Sequence, residues 1–111
     1  MPRHVHQQTF RVFNDSSLAR TVTQANGRSY THTCPLPALE AVAWVFTDRP
    51  QEGHNLTTLI RDLDLPSTQL NVALEFLKDW GCVLSCNRLN YAAGEGVYED
   101  ALTEFWALAG T

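Results

Sequence analysis

The hydrophobic residues in the middle of this chain repeat with the spacing of an α-helix. Two stripes are separated by a short break, with Leu56, Leu59, Ile60 and Leu63 before it and Leu70, Ala73, Leu74 and Leu77 after it. Spacing of three and four residues puts each stripe on one face of an amphipathic helix. Asn55 is a favourable cap for the first helix, and Gly81 is a favourable end for the second. Since only Asp64-Leu65-Pro66 separates them, the sequence predicts two helices joined by a tight turn.

The first third of the chain has the composition of β-strands. The segment QTFRVF at 8–13 is rich in β-forming residues, and NDSS at 14–17 has the composition of a turn. The consecutive segments ARTVTQ, ANGR and SYTHT then give the strongest hairpin signal in the chain. Asn26-Gly27 supplies two residues that tolerate positive φ, as a type I′ turn requires. The sequence therefore predicts an N-terminal β-hairpin within residues 1–33.

Three further segments complete a mixed α and β chain. Residues 36–47 have helical spacing with Glu40 as the only charged residue, which predicts a helix buried on most sides. The short strand candidates CVLSC and NYAA flank the turn NRLN. The last segment, GVYEDALTEFWALAG, is typical of a helix, and its apolar residues cover more than one face. One stripe can pack on the domain, and the surplus suggests a partner.

Helix, loop, helix, tight turn, helix, hairpin and closing helix is the order of elements in a winged helix-turn-helix domain. Residues 36–93 resemble that superfamily, most closely the MarR-like transcriptional regulators. The matching pieces are NLTTLIRDLDL, the step from Leu65 to Leu70, and LEFLKDWGCV. The resemblance implies an α+β winged helix-turn-helix, with a three-helix core plus a β-hairpin wing. It divides the chain into an N-terminal β-hairpin extension, 1–33, and a winged-helix domain with a C-terminal dimerisation helix, 34–111.

Such a domain implies a regulator that reads double-stranded DNA with its third helix in the major groove. By that resemblance, the DNA-binding residues are Ser67, Thr68, Gln69 and Asn71 in the major groove, Lys78 at a phosphate and Arg88 in the minor groove. Gln and Asn can bond adenine with both polar atoms, and hydroxyls reach phosphates. Val72 and Glu75 depart from the pattern, because such helices often carry arginine there. Arg88 could equally be a solvated turn residue.

The charges are unevenly divided along the chain. The net charge is −4, yet residues 1–33 carry four arginines, Arg3 among them, against Asp15 alone, which is +3. Residues 34–111 carry four cations against eleven acids, which is −7. Few cations predict a shallow salt dependence of DNA binding, about two to four phosphates per protomer. The alternative is a winged-helix protein–protein interaction module without nucleic-acid binding. Val72 and Phe76 would then form a docking face, unless they are simply buried.

The closing helix predicts a homodimer. Its large apolar residues are Tyr98, Leu102, Phe105 and Trp106. These could cover the core of one subunit, but terminal helices of winged regulators usually dimerise, and aromatic residues within an acidic rim fit that use. The N-terminal hairpin could extend the wing sheet, widen the DNA-facing surface or pair with a second subunit, and the sequence does not choose among these.

Cysteine and histidine give little sign of a metal site. Cys82 and Cys86 lie four residues apart, and with Cys34 and the histidines His4, His6 and His32 a zinc site is conceivable. Two cysteines separated by three residues, without a second matched pair, have poor zinc-ligand spacing. Ordinary reduced thiols are the favoured interpretation, and they fit a cytoplasmic protein. We expect no metal and no cofactor.

Catalysis and membrane insertion are not expected either. The chain has no Gly-rich phosphate loop after a strand and no nucleophile elbow, so we expect that it is not an enzyme. No apolar run approaches the roughly 18–20 residues needed to cross a bilayer. The segment MPRHVHQQ lacks the apolar core of a secretory signal.

Overall fold

Three strands, three helices, two strands and a fourth helix follow one another along residues 6–110, the part that the computed structural model describes. The elements are β1 (His6–Val12), β2 (Ser17–Gln24), β3 (Ser29–Pro35), α1 (Leu36–Asp48), α2 (Leu56–Leu63), α3 (Ser67–Asp79), β4 (Val83–Cys86), β5 (Leu89–Ala92) and α4 (Val97–Ala109). These residues therefore form an α+β chain with four helices and two small antiparallel sheets. Arg3 and His4 lie outside the described residues.

The N-terminal third forms a three-stranded antiparallel sheet in the order β1-β2-β3. Strands β2 and β3 are the predicted hairpin, and β1 adds a third strand on the other side of β2. The sheet continues to Pro35, where α1 begins directly at Leu36. Phe10, Leu18 and Cys34 are buried on one face of this sheet, which is the face that packs on the helices.

The turn between β2 and β3 differs from the predicted type I′ turn. Asn26 lacks the positive φ that a type I′ turn requires, and only Gly27 has it, at 86°. The Gly27 amide donates to the Gln24 carbonyl at 3.0 Å, and the Gln24 amide donates to the Arg28 carbonyl at 2.8 Å. Ala25, Asn26 and Gly27 thus form a three-residue loop with glycine in the left-handed position. The type I′ prediction for this hairpin was wrong.

Helices α2 and α3 have the ends that their sequences predict. The Asn55 side chain accepts a hydrogen bond from the Thr58 amide, and the Thr58 hydroxyl accepts one from the Asn55 amide, both at 2.9 Å. This reciprocal pair is a capping box. Asp64 ends α2 in the left-handed conformation, with φ 54°. Gly81 follows α3 with φ 74°, and the amide of Cys82 donates back to the Leu77 carbonyl at 2.8 Å.

The hairpin of β4 and β5 has the two-residue turn that was expected of the first hairpin. Asn87 and Arg88 both have positive φ, 52° and 69°, which matches a type I′ turn. A single residue from the loop before α2 extends this small sheet. The amide of His54 donates to the Asn90 carbonyl at 2.9 Å, and the amide of Asn90 donates to the His54 carbonyl at 2.8 Å.

One hydrophobic core joins all four helices to the N-terminal sheet. Its largest fully buried side chains include Leu39, Phe46, Leu59, Phe76 and Phe105. Helix α1 packs against both α3 and α4 and is buried on most sides, as its sequence predicts. Helix α4 begins beside the end of α1, where the Tyr98 amide donates to the Thr47 hydroxyl at 2.8 Å. The helical layer and the sheet therefore form one unit.

Candidate functional site

Helix α3, the predicted DNA-reading helix, is buried along two sides. Leu70, Ala73 and Leu77 are fully buried and make the predicted stripe toward the other helices. Val72 and Phe76 lie outside that stripe, and they are also fully buried. They lie under the N-terminal sheet, whose strands β2 and β3 are close to α3. Of the two interpretations of Val72 and Phe76, core burial is therefore the one observed.

Aromatic and charged contacts attach the sheet to α3. The ring of Phe10 in β1 meets the rings of Phe76 and Trp80 edge to face, with centroids 5.5 Å apart in each pair. Arg20 in β2 is almost completely buried and reaches the carboxylate of Glu75, with Nη2 and Oε1 3.9 Å apart. Its Nε also donates to the Gln8 side chain at 2.7 Å. This arginine is thus committed to the interior and is not free for a phosphate.

The uncovered part of α3 is a narrow polar strip. Ser67, Thr68, Lys78 and Asp79 are exposed, and Asn71 and Glu75 are half-buried between them. At about 100° per residue, these positions span roughly a third of the helix circumference. Lys78 donates to Glu75 at 3.1 Å, so its charge is partly neutralised. Two acids and one committed lysine share the surface that was expected to meet DNA.

Gln69 is separated from the other predicted groove residues. It is half-buried and lies two positions from Asn71, so the two side chains leave α3 on nearly opposite sides. Asn71, Ser67 and Thr68 belong to the polar strip, whereas Gln69 lies on the side of Ala73 and Phe76. The structure therefore does not bring the four predicted groove residues together as one set.

Arg88 is at the exposed tip of the β4–β5 hairpin. No ion pair to it is found among residues 6–110. By contrast, Arg49 and Arg61 in the helical layer both reach the carboxylate of Asp62, at 3.8 and 3.0 Å. The hydrogen bond from Arg61 is the main reason that the pKa of Asp62 is lowered. Cations are therefore dispersed, and several are paired.

A second candidate surface lies on α1 and α4, which the sequence analysis only partly anticipated. The indole of Trp44 stacks on the ring of Tyr98, with centroids 4.4 Å apart and planes 21° from parallel. The Tyr98 hydroxyl donates to Glu40 at 2.9 Å, which is the main reason that the pKa of Tyr98 is raised. Trp44 remains 49% exposed, and Trp106 is 52% exposed.

Three of the four residues predicted for a dimer interface lie along one side of α4. Tyr98, Leu102 and Trp106 follow one another at intervals of four residues, so they form one stripe. Tyr98 and Leu102 are half-buried and Trp106 is exposed. Phe105 is fully buried in the core, edge to face with Trp106 at 4.9 Å. Phe105 therefore supports the stripe from below and offers no surface of its own to a partner.

An open groove lies between α1 and the end of α2, and Trp44 is one of its lining residues. It has a volume of about 350 Å³ and is lined by Ala41, Trp44, Val45, Asp48, Arg49 and Leu63. The groove is mainly apolar, with one acid and one base at its edge. The helical spacing of Trp44 with Ala41 and Asp48 in a helix that is otherwise buried was the sequence signal that could have revealed it.

The cysteines do not form a joint site. Cys34 and Cys82 are buried, and burial raises the pKa of their thiols to about 12 and about 11. Cys86 is exposed at the end of β4. Within the described part of the chain, no three His, Cys, Asp or Glu side chains are arranged to hold a metal ion. Thiols with such high pKa values are poor nucleophiles at neutral pH.

His54 combines burial with an unsatisfied ring nitrogen. It is 2% exposed, and its Nε2 has no hydrogen-bond partner among residues 6–110. Its ring meets Phe46 edge to face at 5.2 Å. Burial, followed by the charge of Arg49, lowers the pKa of His54. The neutral imidazole is therefore the form that fits this position.

In comparisons with protein-family models, with curated proteins and with solved structures, nothing matched this chain. Among residues 6–110, no helix has the length and apolar character needed to cross a bilayer. The polar strip of α3 and the aromatic side chains of α1 and α4 are therefore the two surfaces that bear on the function.

Proposed function

We propose that this chain is a protein-interaction module built on a winged-helix scaffold. The order of α1, α2, α3, β4, β5 and α4 supports the scaffold, since it is the order of a winged helix-turn-helix domain. The tight turn at Asp64 and the type I′ turn at Asn87-Arg88 support it further. This function differs from that of winged-helix proteins that read DNA, because the N-terminal sheet packs over α3, the helix that would enter the major groove.

The burial of Val72 and Phe76 is the observation that carries this proposal. A recognition helix enters the major groove with the face that points away from the other helices. On α3, a large part of that face lies under the N-terminal sheet, and Val72 and Phe76 are 0% exposed. To free it, the protein would have to separate Phe10 from Phe76 and Trp80, which would expose apolar surface to water.

The charges on the polar strip of α3 also disfavour DNA binding. Glu75 lies within the uncovered part of α3 and Asp79 lies at its C-terminal end, and carboxylates repel a phosphate backbone. Lys78 and Arg20 are both bound to Glu75. Affinity for DNA depends mainly on neutralised phosphates, and this strip supplies no net positive charge.

DNA binding remains the second candidate, favoured by a separate observation. Ser67 and Thr68 are exposed at the start of α3, where short polar residues can reach a phosphate or a base edge, and Arg88 is exposed at the hairpin tip. A shallow contact made only by the start of α3 and the hairpin would use these residues. In that case the N-terminal sheet would lie beside the DNA.

A titration of fluorescently labelled mixed-sequence duplex DNA, followed by anisotropy at low and at physiological salt, separates the two candidates. An interaction module should bind no more tightly than about 10⁻⁴ M at physiological salt. Substitution of Thr68→Ala together with Asn71→Ala should not change that. Gln69→Ala is the matched control, because its side chain leaves α3 on the other side. Saturable binding that is lost with Thr68→Ala/Asn71→Ala but kept with Gln69→Ala would establish the second candidate instead.

A second experiment tests whether partner proteins bind through the aromatic side chains of α1 and α4. Proteins captured from the source organism by the wild type should be lost with Trp44→Ala and Trp106→Ala, and retained with Leu84→Ala. Leu84 is a good control because it is 60% exposed on β4, away from the surface in question. If the same proteins are captured by all variants, the interaction role of this surface is refuted.

A further inference from the structure

We infer that the surface of Ala41, Trp44, Tyr98, Leu102 and Trp106, here called the α1–α4 surface, docks a basic amphipathic segment of a partner protein. This inference rests on the proposed function and goes beyond it by specifying the chemistry of the partner. The segment would carry Lys or Arg side chains together with apolar anchors at helical spacing.

The apolar half of the surface has the residues and the exposure of a docking site. Its two indoles, Trp44 and Trp106, are each about half exposed, so a large aromatic area is available to a partner. Trp44 is held flat against Tyr98, so it is already oriented before a partner arrives. Rigid aromatic anchors are the residues that most often dominate interface energies. The groove beyond Trp44 offers room for an apolar side chain from the partner.

Acidic residues predominate around the α1–α4 surface. Helices α1 and α4 together contain Glu40, Asp48, Glu99, Asp100 and Glu104, and neither helix contains a lysine or an arginine. Three of these acids border the α1–α4 surface. Glu40 is bound to Tyr98, Asp48 lines the groove, and Glu99 lies on the same side of α4 as Trp106, seven positions away. Arg49 follows α1, but it is already within reach of Glu52 and Asp62.

This charge pattern selects the occupant. In a symmetric dimer through the α1–α4 surface, the same patch would meet itself, so Glu40, Asp48 and Glu99 would oppose an identical set. Like charges brought together in an interface oppose association, and Arg49, the cation that lines the groove, is already paired with Glu52 and Asp62. A segment with Lys or Arg would instead pair with the carboxylates and lie over the exposed indoles. The charges therefore favour a basic partner over a second copy of this chain.

Fluorescence anisotropy with three dye-labelled synthetic peptides tests the inference. The peptides share one leucine pattern of an amphipathic helix and carry lysine, glutamine or glutamate at all polar positions. We expect the lysine peptide to bind the full chain at least about tenfold more tightly than the glutamine peptide, and the glutamate peptide not to bind. The affinity of the lysine peptide should fall as salt is raised.

Substitutions test whether the lysine peptide binds at the α1–α4 surface. Trp44→Ala and Trp106→Ala should each weaken the lysine peptide at least about tenfold, and Leu84→Ala should leave its affinity unchanged. Glu99→Gln should weaken it, whereas Asp79→Asn, which removes an exposed acid from α3, should not. Circular dichroism and urea unfolding of each variant show whether it is still folded. A variant that has unfolded is replaced by Trp44→Phe or Trp106→Phe, which keep most of the apolar volume.

Each other outcome overturns the inference in a distinguishable way. Equal affinity for the lysine and glutamate peptides would show that the acids do not select the partner, while leaving an interaction role intact. No binding of any peptide, with sedimentation showing a dimer that Trp106→Ala dissociates, would identify a second copy as the occupant. Tight binding of duplex DNA by the wild type would instead refute the proposed function itself.

Discussion

The ring of Phe10 in the N-terminal sheet and the ring of Phe76 on α3 meet edge to face, with centroids 5.5 Å apart. Phe10 also contacts Trp80 at the end of α3. Through this contact the sheet holds the side of α3 that a winged-helix reader would turn to DNA. The contacts of Phe10 therefore contribute to the stability of the fold and also keep this side of α3 covered.

Replacing Phe10 with alanine should destabilise the protein. Phe10 is 8% exposed, and large-to-small changes of a buried phenylalanine typically cost about 3–5 kcal/mol. We expect a loss of about 3 kcal/mol in the free energy of unfolding by urea, at the lower end of that range because Phe10 is not completely buried. Phe13→Ala is the control, because Phe13 is 36% exposed and should cost less than about 1 kcal/mol. Equal losses for both variants would mean that the sheet does not pack on α3.

Both the charge and the planar shape of the Arg20 guanidinium should contribute to the stability of the fold. Its guanidinium reaches Gln8 and Glu75 at once, with 9% of the side chain exposed. Arg20→Ala should lower the free energy of unfolding by about 1.5–3 kcal/mol, because a buried acceptor loses a charged donor. Arg20→Lys should recover only part of this, since an ammonium lacks the planar fork. Arg28→Ala on the exposed turn should have almost no effect. If Arg20→Lys were as stable as the wild type, simultaneous contact of the guanidinium with Gln8 and Glu75 would not be what stabilises the fold.

Arg88→Gly should leave the protein as stable or stabilise it by up to about 1 kcal/mol. Arg88 has a φ of 69°, a conformation that costs a residue with a Cβ roughly 1–2 kcal/mol and costs glycine almost nothing. Part of the gain is offset by the greater freedom of glycine in the unfolded chain. The measurement is thermal and urea unfolding, with Arg88→Ala as the control that keeps the strain. A loss of more than about 1 kcal/mol would mean that the arginine side chain stabilises the hairpin tip.

Stability should fall in mildly acid solution because of His54. In the unfolded chain this histidine binds a proton near pH 6.5, whereas in the fold its pKa is lowered, first by burial and then by Arg49. Below pH 6.5 the unfolded state therefore binds more protons, and the free energy of unfolding decreases as the pH falls toward the folded-state pKa. Urea unfolding at a series of pH values measures this decrease.

The matched variants are His54→Phe and His32→Phe. The first removes the buried imidazole and should flatten the pH dependence. It should cost little stability because Nε2 loses no hydrogen bond to any described residue. The second removes an exposed histidine and should leave the dependence unchanged. If the two variants have the same pH profile as the wild type, another group causes the decrease.

Local signals in the sequence were enough to predict the helices of the central region. The cap at Asn55 and the terminating Gly81 are both set by residues within one helical turn of the positions they control. The strands of the N-terminal third were also predicted. These features need no knowledge of distant contacts, which explains why the sequence was sufficient.

The covering of α3 was not predicted, because it depends on residues far apart in the chain. Val72 and Phe76 have helical spacing outside the main stripe, and the sequence left open whether that face was core or a docking face. The contact with Phe10 resolves it, and no local pattern in β1 indicates which helix its apolar face will meet. The type I′ prediction for Asn26-Gly27 used residue preference alone. The turn type also depends on the loop length and the strand register, and these give a three-residue loop here.

The protein's own N-terminal sheet covers the outer side of α3. Nuclear Overhauser effects between aromatic ring protons, in a sample of the full chain in solution, test it most directly. We expect clear cross-peaks from the Phe10 ring to the rings of both Phe76 and Trp80. Absence of these cross-peaks, with Phe76 accessible to a paramagnetic relaxation agent in the solvent, would contradict it and return α3 to the surface.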